Sequence, residues 1–332
     1  MATLPKVVCL GMNEESAVAI SRLIQSGADI VAIVGVDNRQ SASIADYYDL
    51  SQLAKEHDLR WIPVSDVNAD ETIADLGAMH ADWLFVTGWS QLLSKQVLDL
   101  FPSGVVGSHP SELPYGRGRA PLPWTILEGI DTSAVSLFKM EVGVDSGSIL
   151  KQLQFDVPKD VYARELYELV SHNLAIAFVD LYWDIVKDQV TEVVQDIKYA
   201  TWRSKRIPAD GCINFNHKAE DIYRLVRAVS DPYPGAYSYF NSTKVIFNKA
   251  QLAEGADIAR KGVPGQVLAR RDGMILVQAL DSGVWLEEPI VDPSAGKVCL
   301  GDTFGFRVHD EIARLLNRIS VLEEQLARKN SH

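Results

Sequence analysis

The sequence predicts an α/β protein, with a doubly wound, mostly parallel sheet followed by a smaller β domain and a terminal helix. Continuous apolar runs of strand length alternate with amphipathic helical segments over roughly the first half of the chain. Short strand-like runs separated by Gly, Pro, Asn and Asp then replace this alternation. An apolar heptad pattern closes the chain.

The first half supplies the elements of the parallel sheet. Strands are predicted at 6–12, 29–37 and 82–89, and amphipathic helices at 15–27 and 161–187. In a sheet of this kind ligands bind at the carboxyl ends of the strands, so we expect the functional site there. The turn "GMNEES" lacks the G-x-G-x-x-G pattern and the chain contains no P-loop, which disfavours dinucleotide and NTP chemistry.

The second half divides the chain further. We predict a first domain over 1–189, an irregular and basic linker over 190–206, and a small β-barrel or OB-like domain over 207–305. Residues 306–332 form the terminal helix, in which apolar residues repeat at heptad spacing: Val308, Ile312, Leu315, Ile319, Leu322 and Leu326. This seam either packs on its own domain or forms a dimer contact, and we predict a homodimer.

Composition excludes several classes of protein. The 44 acidic and 32 basic residues give a net charge of -12, which disfavours a nucleic-acid partner. The apolar runs are far shorter than the roughly 20 residues of a membrane span, and no export signal is evident at the N-terminus, so no membrane association is expected. Cys9, Cys212 and Cys299 are too widely spaced for a disulfide framework or a zinc site. These features predict a cytoplasmic protein without a metal.

A histidine stands at the head of an unusual loop. His109 follows the strand-like "SGVVG" and opens the segment "HPSELPYGRGRAPLPW", which is too rich in Pro and Gly for a helix. Asp145 follows in "VGVDSGSIL", between glycines. A carboxylate that orients an imidazole and supports its charged form makes an effective proton acceptor near neutral pH. No G-x-S-x-G motif is present to support a hydrolase triad.

These residues carry a family resemblance. The stretch "HPSELPYGRGRAPLPWTILEGIDTSAVSLFKMEVGVDSGSIL" resembles the signature of the formyltetrahydrofolate-dependent formyltransferases, which runs Asn-x-His-x-Ser-x-x-Pro, then a Tyr/Arg-Gly-x-x-Pro loop, then Asp-x-Gly. "GWSQLL" stands where that family has its folate-facing loop, and "RIPADGCINFNHKAEDIYRLVRAVSDPYPGAYSY" is similar to the start of its C-terminal domain. The resemblance covers about residues 5 to 305 and implies a Rossmann-like catalytic core.

The resemblance implies a role for each matching position. His109 would assist proton removal from the attacking amine, and Asp145 would orient it. N10-formyltetrahydrofolate would be the co-substrate. Arg119, and also the earlier segment from Ser111 to Pro114, would border the folate or the acceptor. The implied folate-binding positions are Gln91, Leu92, Leu93, Glu141, Val142, Gly143 and Val144.

The chain departs from the family pattern at Gly107. The family has Asn there, whose amide would donate to the charge that develops on the formyl oxygen. Three interpretations stay open: Ser108 takes over, another side chain or a backbone N–H replaces the donor, or the protein binds folate with a weakened catalytic site.

The amine acceptor is predicted from the family's branches. The segments "YGRGRAPLPW" and "DPYPGAYSY" look most like the nucleotide-sugar N-formyltransferases, which implies a dTDP- or GDP-linked amino sugar used in bacterial surface polysaccharide such as O-antigen. Methionyl-tRNA is the alternative acceptor, disfavoured by the acidic chain and by a loop at 37–50 without a basic run. Arg203, Lys205 and Arg206 either meet a diphosphate or form a solvated basic linker.

Overall fold

The chain folds into two units. The computed structural model describes residues 3–37, 46–141, 143–291, 293, 296–305 and 308–330. One unit comprises Met1–Ile207 with Asp231–Tyr233, and the other Pro208–Ser230 with Pro234–His332. The predicted linker, 190–206, therefore lies within the first unit.

A seven-stranded sheet forms the centre of the first unit. Its strands are β1 (Val7–Gly11), β2 (Ile30–Val36), β3 (Arg60–Val64), β4 (Trp83–Val86), β5 (Gly104–His109), β7 (Thr132–Lys139) and β8 (Ile149–Asp156). Their order is β3-β2-β1-β4-β5-β7-β8. The first five run parallel, and β7 and β8 are antiparallel to their neighbours. The predicted doubly wound, mostly parallel sheet is confirmed.

Six helices of this unit connect or cover the strands. They are α1 (Glu14–Gln25), α2 (Leu50–Glu56), α3 (Asp70–Gly77), α4 (Lys95–Leu98), α5 (Pro121–Glu128) and α6 (Ala163–Val186). α1 begins where the Asn13 side chain accepts a hydrogen bond from the Ser16 N–H, a capping box that satisfies a free helix donor. α6 is the one described helix long and apolar enough to cross a membrane, and it packs against α1 and the sheet as a core helix.

The apolar core on one face of the sheet lies under the predicted site. It includes Val8, Leu10, Leu84, Val86 and Val105, all nearly or fully buried. Side chains from β1, β4 and β5 alternate between the two faces, so β5 presents Val105, Gly107 and His109 on this same face.

A short strand pair joins the histidine loop to the predicted linker. β6 (Arg117–Gly118) pairs in parallel with β9 (Trp202–Arg203). Gly116 and Gly118 have φ of 70° and 105°, in the region that favours glycine. A Cβ at Gly118 would lie 2.5 Å from the Arg203 carbonyl oxygen. The glycines of "YGRGR" thus let this loop pass directly against residues 201–203.

The second unit is rich in strands, as predicted. It contains α7 (Ala219–Ala228), β10 (Ala236–Phe240), β11 (Thr243–Phe247), β12 (Ala250–Leu252), β13 (Val267–Arg271), β14 (Met274–Gln278), β15 (Gly283–Glu287) and the terminal helix α8 (Val308–Asn330). β10 and β11 form a hairpin, and the other four strands form a sheet in the order β12-β15-β14-β13.

Candidate active site

His109 ends β5 and is held by both ring nitrogens. The side chain is buried, and Nε2 lies 2.8 Å from the Gly116 carbonyl oxygen. A carbonyl only accepts, so Nε2 carries a proton and donates it. Nδ1 lies 3.6 Å from Asp145 Oδ2. In a neutral ring Nδ1 is therefore the basic atom, and a proton that it gains faces a carboxylate.

Asp145 is held in an uncommon backbone conformation. Its φ is 52°, in the left-handed region that Asp tolerates better than most residues. Oδ2 accepts a hydrogen bond of 2.8 Å from the Gly118 N–H. Gly116 and Gly118 of one loop therefore orient the histidine and the aspartate respectively.

Gln195 fixes the segment that carries Asp145. Its amide nitrogen donates to the Asp145 carbonyl oxygen at 2.9 Å and to the Gly147 carbonyl oxygen at 2.7 Å. Its amide oxygen accepts from the Arg117 guanidinium at 2.7 and 3.1 Å. Both side chains are buried, and Arg117 also stacks over the Trp202 ring at 5.8 Å. All four hydrogen-bonding positions of the Gln195 amide are thus used.

The packing around Gly107 accounts for the missing Asn. A Cβ at this position would lie 2.8 Å from Met140 Cγ and 3.0 Å from Phe138 Cζ. The space of an Asn side chain is therefore filled by Met140 and Phe138. Ser108 is committed elsewhere, since its hydroxyl donates to the Val86 carbonyl oxygen at 3.2 Å and strand alternation places it on the other face.

Two buried polar atoms follow β4 without a hydrogen-bond partner among the described residues. They are Thr87 Oγ1 and Trp89 Nε1. Trp89 packs against the apolar core that also contacts Met140, the residue that fills the space at Gly107. The Trp89 indole N–H is therefore a buried donor at the carboxyl end of β4 that no described residue satisfies, as is that of Trp285 in the second unit.

The predicted folate residues occupy different environments. The Gln91 side-chain amide accepts a hydrogen bond from the Val67 N–H and donates one to the Ser65 carbonyl oxygen, so in the described fold it holds the segment after β3 in place. Leu93 packs on the core, whereas Leu92 is 73 % exposed. The remaining predicted positions are exposed: Glu141, Gly143, Val144 and Arg119. Val142 lies outside the described residues.

Two cavities include predicted site residues in their lining, one at the start of β5 and one along the histidine loop. One, of about 580 Å³, is lined in part by Lys95, Lys139, Met140 and Glu141. The other, of about 360 Å³, lies along the histidine loop and is lined by Ser111, Glu112, Tyr115, Gly116, Glu128, Ile130, Thr132, Ser133, Thr201 and Arg203.

The three basic residues predicted to meet a diphosphate differ in availability. Arg203 is nearly buried and binds Glu128 at 2.7 Å. Arg206 stacks over the Trp124 ring at 5.3 Å. Lys205 is exposed. Arg203 is thus part of the fold of this loop.

A buried carboxylate clamps the turn after β4. Glu15 of α1 accepts a hydrogen bond from the Gly88 N–H, and Ser16 Oγ donates to the Thr87 carbonyl oxygen at 2.8 Å. Burial, reinforced by the charge of Asp46 and opposed by the Gly88 bond, raises the pKa of Glu15 to about 7. The turn that leads to Trp89 and Leu93 is therefore tied to α1.

Sequence reasoning missed Arg117, Gln195, Trp89 and Glu15. Arg117 carries a weak signal, as a long charged residue between two glycines. Gln195 lies in the predicted linker, where nothing in the local pattern marks it. Among the described residues no group of three or more His, Cys, Asp or Glu side chains is placed to bind a metal.

A buried histidine lies beside a carboxylate at the carboxyl end of a mostly parallel sheet, where α/β enzymes bind their ligands, and such a pair can accept a proton. The family follows from comparison with known proteins. Residues 6–181 match the formyl transferase domain and residues 206–304 the formyl transferase C-terminal domain, so the chain belongs to the formyl transferase family.

Individual relatives are distant. A methionyl-tRNA formyltransferase from Ruminiclostridium cellulolyticum is 23% identical, over 87% of this chain and 93% of its own length. The bifunctional polymyxin resistance protein ArnA of Wigglesworthia glossinidia brevipalpis is 27% identical over 75% of this chain, which spans only 38% of that relative. The crystal structure of WlaRD, a sugar 3N-formyl transferase in the presence of dTDP and 5-N-formyl-THF, shares the fold at a TM-score of 0.61 and 16% identity, covering 88% of this chain and all of WlaRD.

Proposed function

We propose that this formyl transferase moves the formyl group of N10-formyltetrahydrofolate to the amine of a nucleotide-linked amino-deoxy sugar. The observation that carries the proposal is the pair formed by buried His109 and partly buried Asp145, oriented by the glycines of one loop. An amine attacks a formyl carbon only after it has lost its proton. His109, held at the end of β5, is placed to act as the base that removes this proton.

His109 takes the amine proton at Nδ1. Nε2 keeps its proton and donates it to the Gly116 carbonyl oxygen, which holds the ring in one tautomer. When Nδ1 is protonated, the imidazolium gains an attraction to Asp145 across 3.6 Å. The new bond joins the amine nitrogen to the formyl carbon, the bond from that carbon to N10 breaks, and N10 takes up the proton that the amine gave to His109.

Trp89 is our candidate for the donor that replaces the missing Asn. Its indole N–H is buried, has no partner among the described residues, and belongs to a side chain packed against the core cluster that includes Val105 of β5. A donor aimed at the formyl oxygen stabilises the charge that develops there, and losing one such donor typically costs about 2.7–4 kcal/mol. Trp89→Phe keeps most of the ring bulk and removes the N–H, so it tests this role directly.

The folate would lie between the turn after β4 and the segment 141–145. Leu93 and Met140 offer apolar surface there, and the exposed main chain at 143–144 offers polar groups for a pterin edge. The cavity at Met140 and Glu141 is also lined by Lys95 and Lys139, which pair with Asp99 at 2.7 Å and Glu192 at 3.3 Å, so a carboxylate tail would compete with these partners. We propose these residues as the folate side, with no metal involved.

The proposed amine acceptor rests on two observations, the net charge of the chain and the likeness of its fold to a sugar formyltransferase. The net charge of -12 disfavours binding of an RNA stem, and the proposal is supported by the likeness of the fold to that of WlaRD, a sugar 3N-formyl transferase whose structure was determined in the presence of dTDP and 5-N-formyl-THF. Arg119 is exposed beside the histidine loop and forms no ion pair among the described residues, so it is the candidate for a diphosphate. The sugar would be dTDP- or GDP-linked and destined for bacterial surface polysaccharide, made in the cytoplasm.

Methionyl-tRNA is the second candidate acceptor, because a methionyl-tRNA formyltransferase aligns over nearly the whole of both chains. The test incubates the purified protein with N10-formyltetrahydrofolate and either a panel of dTDP- and GDP-linked amino sugars or charged methionyl-tRNA. Mass spectrometry detects the formylated product. Formylation of a sugar nucleotide supports the proposal, formylation of tRNA alone replaces it with the second candidate, and folate binding without transfer to either identifies a folate-binding protein.

A further inference from the structure

The terminal helix carries an apolar stripe that its own unit leaves open. The six seam residues Val308, Ile312, Leu315, Ile319, Leu322 and Leu326 are 49% to 59% exposed. Every described side chain from Ile312 to Arg328 is exposed. The described residues therefore do not show the seam of this helix packed against its own domain. A stripe of this length in water marks an interaction surface.

The first turns of α8 are attached to the rest of the unit. Arg314 donates to the Ser242 hydroxyl at 3.0 Å and pairs with Glu311 at 3.0 Å, and Glu311 also contacts Ser242. These contacts hold the start of the helix against the turn between β10 and β11. The seam beyond them is accessible to another chain.

The identity of the seam residues selects the partner. Placing Ile312 at position a of a heptad puts Ile319 and Leu326 at a, and Leu315 and Leu322 at d. Isoleucine at a with leucine at d favours two parallel strands over three or four. A second copy of the same helix presents the same pattern and can align with it in register.

The flanking charges fit the same arrangement. Arg318 falls at g and Glu323 at e of the next heptad, and neither forms an ion pair among the described residues. In a parallel dimer in register, g of one chain faces e of the following heptad in the other, so Arg318 meets Glu323 of the second copy on both sides. An antiparallel pair that overlaps fully would instead bring Arg318 opposite Arg318.

We propose that α8 joins two copies of this chain through an in-register parallel coiled coil. The seam at a and d supplies the apolar contact, and the two Arg318–Glu323 pairs set direction and register. The association does not depend on which acceptor the catalytic unit uses.

Sedimentation equilibrium of the full chain tests the proposal. The wild type is expected to be a dimer, and Ile319→Asp a monomer, because a carboxylate at a is buried in the seam. Val321→Asp is the matched control: Val321 is 45% exposed on the same helix but lies outside the seam, so this variant stays dimeric. A monomeric wild type, a trimer or tetramer, or a dimer that survives Ile319→Asp would overturn the interface.

Charge reversal tests the direction. Arg318→Glu and Glu323→Arg should each raise the dimer dissociation constant by roughly tenfold, since each places like charges together twice. The double variant restores both attractions and should return close to the wild type. A double variant as weak as the single ones would rule out the parallel register.

Discussion

Gln195 donates both hydrogens of its side-chain amide to the segment that holds Asp145, at 2.9 Å to the Asp145 carbonyl oxygen and 2.7 Å to that of Gly147. Gln195 lies beyond the residues matched by the formyl transferase domain, which end at 181. The proposed catalytic pair, His109 and Asp145, is thus supported by chain that follows the domain, and Arg117 donates to the same glutamine.

We predict that Gln195→Leu and Gln195→Glu both lower kcat, by roughly 10- to 100-fold, because a displacement of about 1 Å at a catalytic group has an effect of that size. Glutamate still accepts from Arg117 but cannot donate to the two carbonyls. Steady-state kinetics on both variants separates the roles. Recovery of kcat in Gln195→Glu would mean that the glutamine serves Arg117 alone, and the exposed Gln189→Leu is the control.

Removal of the proposed base, His109, or of its carboxylate partner should strongly reduce turnover. His109→Ala deletes the proton acceptor, and Asp145→Asn removes the charge that supports the imidazolium, so we expect losses of about 10²- to 10⁴-fold in kcat. Ser108→Ala, next to the histidine but on the other face, should stay close to the wild type. Wild-type turnover in both His109→Ala and Asp145→Asn would sink the assignment.

Introducing the family's Asn at position 107 as a single substitution should destabilise the protein. Gly107→Asn forces a side chain into space held by Met140 and Phe138, and overpacking of this kind costs about 1–3 kcal/mol in the free energy of unfolding. The double variant Gly107→Asn with Met140→Ala opens that space and should recover part of the loss. Chemical denaturation of both variants, with Met140→Ala alone as reference, measures the coupling; simple additivity would contradict the packing account.

The Glu15 carboxyl should make stability depend on pH. Its pKa is about 7 in the fold and near the ordinary 4.5 when unfolded, so folding favours the protonated form. That contribution is fully present below pH 4.5 and is lost as pH rises through about 7. Relative to the wild type, Glu15→Gln should therefore gain stability between pH 4 and 8, on the order of 2–3 kcal/mol. The exposed Glu71→Gln should show no such trend, and a parallel response of the two variants would contradict the prediction.

The loss of an indole donor should affect chemistry more than binding. Trp89→Phe is expected to lower kcat by roughly 100-fold with little change in the KM for the folate, if the N–H meets the formyl oxygen only as charge develops. A larger KM with an unchanged kcat would instead assign Trp89 to folate binding.

The order of apolar runs in the sequence determined the sheet, its long helix and the place of His109, because strand and helix periodicities are local properties of the chain. The motif that contains His109 and Asp145 was enough to predict the family, which the comparisons confirm, and to predict these two residues as the catalytic pair. The heptad seam of α8 was equally visible, since it depends only on spacing along one helix.

The contacts that hold the candidate site in place could be seen only in the tertiary structure. Gln195 and Arg117 are distant in sequence and show no shared pattern, yet they meet because β9 pairs with β6 beside the glycine loop. Gly107 read as a missing donor, and only the positions of Met140 and Phe138 show that the space is occupied. Contacts of this kind depend on which surfaces the fold brings together, and no local periodicity records them.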